Sequence, residues 1–162
     1  MEGLSISTIW RLFKWLPGCV LKRIFTPEKL SKLIYVDLRP RHRQASMNLC
    51  EVPRFELYFQ IINLSPFNVE LDRAEVRFHC AGTISKTTSL MKKDLIPGQF
   101  ESLYFDDAVH EGNANFISQN TDNLQPSVEI DMEFNCKLHN FSLKSGRLEG
   151  VNINLINMRK NT

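Results

Sequence analysis

The sequence has no paired-cysteine motif. Its four cysteines lie far apart, at positions 19, 50, 80 and 136, and no histidine is placed to complete a zinc knot. A zinc finger and a disulfide-stapled mini-fold are thereby disfavoured. No uncharged apolar run near the start reaches the roughly 18 residues of a spanning helix, because Arg11, Lys14, Lys22 and Arg23 interrupt it. A secretory leader fits no better, since the positive charge falls inside and after the apolar stretch instead of before it. Glycine and proline are sparse, seven of each, which excludes a collagenous chain. No nucleophile sits in a recognisable catalytic context and no cofactor motif occurs, so the expectation is a protein that is not an enzyme.

What is present is enough apolar residue for one principal core: 162 residues, 43% of them hydrophobic. The formal charge of +2 hides a division. Residues 1–45 hold nine Lys/Arg against Glu2, Glu28 and Asp37, whereas the remainder holds eleven against fifteen acids. One end is basic and the body acidic.

At about 100° per residue, Ile6, Ile9, Leu12, Phe13, Leu16, Val20 and Ile24 fall on one side of a helix, with Arg11, Lys14, Gly18 and Lys22 opposite. Trp10 and Trp15 stand at the boundaries between the faces, where an indole can keep its N–H wet. Such a helix lies in the plane of a membrane surface. A partner's groove, or packing on its own domain, would use the same pattern. The candidate binding residues are Ile9, Trp10, Arg11, Leu12, Phe13, Lys14, Trp15, Leu16, Val20, Lys22, Arg23 and Ile24. Pro17 should kink or split the helix near Leu16. Thr26-Pro27-Glu28 then starts a short second helix, through about Leu33. The basic run Arg39, Arg41, His42 and Arg43 lacks interleaved aromatics, so nucleic acid is disfavoured against a solvated loop or one near anionic lipid.

From about residue 34 the apolar period changes to two. Phe55, Leu57, Phe59 and Ile61 alternate with polar neighbours, as do Ala74, Val76, Phe78 and Cys80 before Ala81-Gly82. Val69 and Leu71 open that second segment, and Ile96-Pro97-Gly98 is a turn before Phe100–Phe105. Residues 113–126 read as a long loop with a helical turn around Phe116-Ile117. Val128, Ile130, Met132, Phe134, Cys136 and Leu138 form the clearest strand face, and Val151, Ile153 and Leu155 a last one. About seven half-buried, mostly antiparallel strands make an all-β fold, a two-sheet sandwich or a closed barrel. The division expected is a helical anchor over 1–33 and a β-sandwich domain over 34–162, with the core owing nothing to the helices.

Asp106, Asp107, His110 and Glu111 form the densest carboxylate and imidazole cluster. Without the alternating ligands and central glycine of a calcium loop it reads as solvated, with no metal. Cys80 and Cys136 both point inward by alternation; a bridge is open to them, but reduced buried thiols are favoured. Cys19 on the basic helix is apolar surface or an acylation target.

From Phe55 onward the order of segments resembles the late embryogenesis abundant group 2 family, also called the water-stress and hypersensitive-response domain. The residues that carry this are Phe55–Asn63 running into Ser65-Pro66-Phe67, a strand ending at Ala81-Gly82, Leu95-Ile96-Pro97-Gly98 before a strand, and a long alternating strand before Phe141–Gly146. The turn Asn63-Leu64-Ser65-Pro66 lacks the family's adjacent Asn-Pro. The resemblance implies an immunoglobulin-like sandwich without a catalytic centre, beside an N-terminal membrane anchor, with lipid or another apolar molecule as a ligand in some relatives.

The leading expectation is therefore a membrane-peripheral binding or structural domain on a cytoplasmic face, tethered by the N-terminal helix. The cations that follow the helix outnumber those before it, which keeps the body on that side. The rivals are a soluble carrier of an apolar ligand and an adaptor whose helix docks on a partner protein. Nothing in the sequence sets an oligomeric state.

Overall fold

The computed structural model describes residues 16–39 and 43–157. Leu16 and Pro17 are not helical, and a helix, α1, begins only at Gly18, running Gly18–Ile24. Pro17 thus stands immediately before a helix, a position that its ring and missing N–H suit. A second helix, α2, spans Pro27–Ser31, with Thr26 at its N-cap position and Pro27 at its first residue. Thr26 hydrogen-bonds the Glu28 carboxylate, which holds that carboxyl below its ordinary pKa, with His139 and Lys32 adding to the effect. The helix ends two residues short of Leu33.

Among the described residues nine strands form two sheets. In the first sheet β1 (Ile34–Leu38) and β2 (Gln44–Asn48) lie end to end along one edge of β3 (Arg54–Asn63), pairing with its two halves. On its other side β3 pairs with β6 (Phe100–Ala108) along nearly its whole length. The last strand, β9 (Asn152–Ile156), runs parallel to β2. The second sheet is antiparallel throughout, in the order β5 (Thr83–Leu95), β4 (Val69–Cys80), β7 (Ser127–Cys136), β8 (Phe141–Lys144). The architecture is all-β and sandwich-like, with two separate sheets and not one closed barrel. One expectation is corrected: the strands among the described residues number nine, not about seven; their pairing is mostly antiparallel, as expected, with β2 and β9 the parallel pair.

The alternation read from the sequence matches the burial. Phe55, Leu57, Phe59 and Ile61 of β3 face Ala74, Val76 and Phe78 of β4 and Val128, Ile130, Met132 and Phe134 of β7 across the core, all buried. Phe55 stacks on Phe78 across the two layers at 5.9 Å, and within the first sheet Phe59 meets Phe105 edge-on at 5.6 Å. Outward on the second sheet, Arg77 bonds Glu75, Glu129 and Asp131 at 2.9–3.0 Å, and Lys86 lies 3.0 Å from Glu75. This is the wet face.

β5 is the strand with the weakest apolar pattern. Its inward positions hold Ser85 and Thr87, so pairing decides it. A two-residue turn, Ala81-Gly82 with φ of 48° and 76°, closes its hairpin with β4. Positive φ at both residues matches the turn twist that antiparallel strands require. The stretch expected to be a loop contains a nine-residue helix, α3 (Glu111–Gln119), which buries Ala114 and Ile117, followed by a 3-10 turn at Thr121–Asn123.

The expectation that the core owes nothing to the helices is also corrected. Leu21, Phe25 and Leu30 belong to the buried cluster, and Leu30 is fully buried. Two short helices cannot persist alone in water, so their apolar side chains supply what holds them in place.

Candidate functional site

Of the twelve candidate binding residues, Ile9, Trp10, Arg11, Leu12, Phe13, Lys14 and Trp15 lie outside the described residues. Leu16, Val20, Lys22, Arg23 and Ile24 are described, and α1 divides them. The helix docks through Leu21 and Phe25, and the Phe25 ring meets Phe67 edge-on at 5.1 Å. His139 Nε2 lies 3.1 Å from the Lys22 carbonyl, joining the last turn of α1 to the β7–β8 loop. Val20 and Ile24 point away from the core, 38% and 37% exposed, with Lys22 and Arg23 exposed beside them. Leu16 is half-buried and packs against the core. The helix therefore has two adjacent apolar stripes, and sequence reasoning picked only the outer one. The i, i+4 pair Leu21 and Phe25 was the signal for the inner.

Between α1 and α2 an open groove of about 300 Å³ is lined by Ile24, Phe25, Lys29, Lys32 and Leu33. Its floor is apolar and its cations are both lysines. Such a lining can hold an apolar segment beside a negative charge.

The remaining candidates are engaged otherwise. Asp106 takes a bidentate pair of hydrogen bonds from Arg54, at 2.9 and 2.7 Å. Asp107 accepts from the Ala108 N–H, and His110 N-caps α3 by accepting from the Gly112 N–H at 3.2 Å. Among the described residues no three His, Cys, Asp or Glu side chains converge as metal ligands would. Arg43 of the basic loop pairs with Asp37 at 3.2 Å, while residues 40–42, with Arg41 and His42, lie outside the description.

None of the four cysteines forms a disulfide. Cys136 sits opposite Val69 at the start of β4, whereas Cys80 ends that strand. A strand's length separates them, so the bridge left open by alternation is excluded by register. Burial pushes the Cys80 thiol up to about 11.

A second groove, about 240 Å³, opens over a register shift in β4. Arg73, Glu75, Asp131, Glu133 and Lys144 give it walls of mixed charge.

No family model and no curated protein matches the sequence. Solved structures do match in shape. An X-ray structure of a Northeast Structural Genomics Consortium target aligns with 82% of this chain and 97% of its own, at a TM-score of 0.53 and 12% identity. The solution structure of a late embryogenesis abundant (LEA) protein covers 92% of this chain and 91% of its own, at a TM-score of 0.49 and 10% identity. The ApaA protein from Bordetella pertussis covers 71% and 89%, at 0.48 and 7%. At 12% identity the first of these likenesses is one of fold alone.

Proposed function

We propose that this chain is a non-enzymatic, membrane-peripheral domain of the immunoglobulin-like, LEA-related kind. In this reading its N-terminal segment lies on an anionic cytoplasmic surface and the sandwich is presented to a partner. The observation that carries it is the division of α1. Leu21 and Phe25 fasten the helix to the core, while Val20 and Ile24 face outward beside Lys22 and Arg23. An apolar stripe with flanking cations, continuous in sequence with Trp10, Phe13 and Trp15, has the chemistry of the headgroup and acyl boundary.

The test is co-flotation of the full chain with phosphatidylcholine vesicles, with and without phosphatidylserine. Each cation near an anionic surface contributes about 1 kcal/mol, so replacing Arg11, Lys14, Lys22 and Arg23 by Gln should release the protein, and salt should weaken the wild type. Emission of Trp10 and Trp15 that stays unshifted on anionic vesicles at low salt would refute the reading. Docking on a protein partner would instead depend on Phe13 and Leu16 and respond little to salt.

A further inference from the structure

We propose that the end of the sandwich beside the two helices is a second contact with an anionic bilayer, made by the domain itself and separate from the N-terminal helix. The proposal rests on the membrane-peripheral reading. The β3–β4 loop, the β5–β6 turn and the β7–β8 loop all emerge at this end, next to α1 and α2. The first two carry large apolar side chains at their tips, with Leu64 43% and Ile96 51% exposed. Behind them Tyr35, Ile62 and Phe100 stand in one row across β1, β3 and β6, and Tyr35 and Phe100 are more than half exposed. Aromatic side chains of this kind favour the membrane interface.

The two tips are held by one buried residue. Asn63 Nδ2 donates to the carbonyls of Phe67 and Leu95, at 2.7 and 2.9 Å, and its Oδ1 accepts from the Ser65 N–H. The Asn63 carbonyl accepts from the Gly98 N–H at 2.7 Å, and Leu64 N–H donates to the Leu33 carbonyl at 2.7 Å. With their backbones satisfied inside the protein, both turns present Leu64 and Ile96 without the ordering cost that a flexible loop meets on binding.

Charge selects the occupant. This end carries Lys22, Arg23, Lys29, Lys32 and Lys137, all exposed; of its acids, Glu28 is bonded by Thr26, Glu70 by Asn135 and Glu101 by Lys93, at 2.9 Å, which leaves exposed Asp94 against five cations. The opposite end carries Glu51, Asp107, Glu111, Asp122 and Glu149 against Arg147, while Arg54 there is tied to Asp106. A domain polarised this way orients its basic end toward a negative surface. The groove between Lys29 and Lys32 then receives acyl methylenes below a phosphate or carboxylate headgroup.

The experiment is flotation of the full chain with phosphatidylserine-containing vesicles, comparing wild type with two double variants, Leu64→Ser with Ile96→Ser and Lys29→Gln with Lys32→Gln. All four positions are outside the core, so thermal melting should be retained, and each double variant should lower partitioning about tenfold. Wild-type flotation with unchanged partitioning of both variants overturns this contact and leaves the helix reading standing. No flotation of the wild type overturns both. Concentration-dependent dimerisation in sedimentation, abolished by Leu64→Ser with Ile96→Ser, would assign the face to a second copy and also overturn the proposal.

Discussion

Replacing Leu30 by Ala decides whether the helices belong to the domain or merely precede it. Leu30 is fully buried on the inner side of α2, which packs on β8, and it lies in one cluster with Leu21, Phe25 and Ile34. Truncating a fully buried leucine removes its transfer free energy and leaves a cavity, at a cost of about 2–5 kcal/mol. The short helix cannot collapse far, because Thr26 and Pro27 set its start and the Leu33 carbonyl is bonded to Leu64, so about 3 kcal/mol is expected. For a chain of this length each kcal/mol moves the melting temperature by about 2–4 °C, which predicts a drop of about 6–12 °C. Urea and thermal unfolding followed by far-UV circular dichroism will measure it, with Ile24→Ala as the exposed control, expected within about 0.5 kcal/mol of wild type. A Leu30→Ala protein as stable as that control would mean that α2 does not pack on the sandwich in solution. A chain beginning at residue 34 would lose Leu21, Phe25 and Leu30 together, and it should unfold at lower denaturant than the full chain.

Phe134→Ala should cost about 3–5 kcal/mol, because the ring is buried and stacks on Phe141 at 5.1 Å, whereas Glu133→Ala should be nearly silent. Reversal of those two denaturation midpoints would mean that β7 is facing the wrong way. Asn63→Ala leaves the Phe67 and Leu95 carbonyls without their donor and should cost about 3 kcal/mol, with faster amide exchange at Gly98; unchanged exchange there would remove the hub. Alkylation at about pH 8 should modify Cys19 and spare Cys80, read by peptide mass spectrometry, since one is exposed and the other buried. The folded Cys80 thiol is raised to about 11, above its unfolded value of about 8.5. Its contribution is therefore fully present below that lower value and lost as pH climbs through 11, and replacing Cys80 by Ala should flatten this alkaline limb of the stability curve.

Alternation alone located β3, β4, β7 and β9 and the side of each that is buried, because a period of two leaves only one face for Phe55, Phe78 or Phe134 to hide. The start of α2 was legible for a local reason as well, Thr26-Pro27-Glu28 being a signature that needs no distant partner. β5 carried no such mark, since Ser85 and Thr87 face inward. Only hydrogen bonding to β4 through the Ala81-Gly82 turn makes it a strand. The exclusion of a Cys80–Cys136 bridge came from register, which depends on how two distant segments align. The inner stripe of α1 was hidden because Leu21 and Phe25 sit next to Val20 and Ile24 on a helix apolar on two sides, and composition cannot say which stripe meets the core. The polarised ends and the paired tips at Leu64 and Ile96 likewise exist only after folding, because residues more than thirty apart are brought together by the Asn63 side chain and carbonyl, a contact that no local pattern encodes.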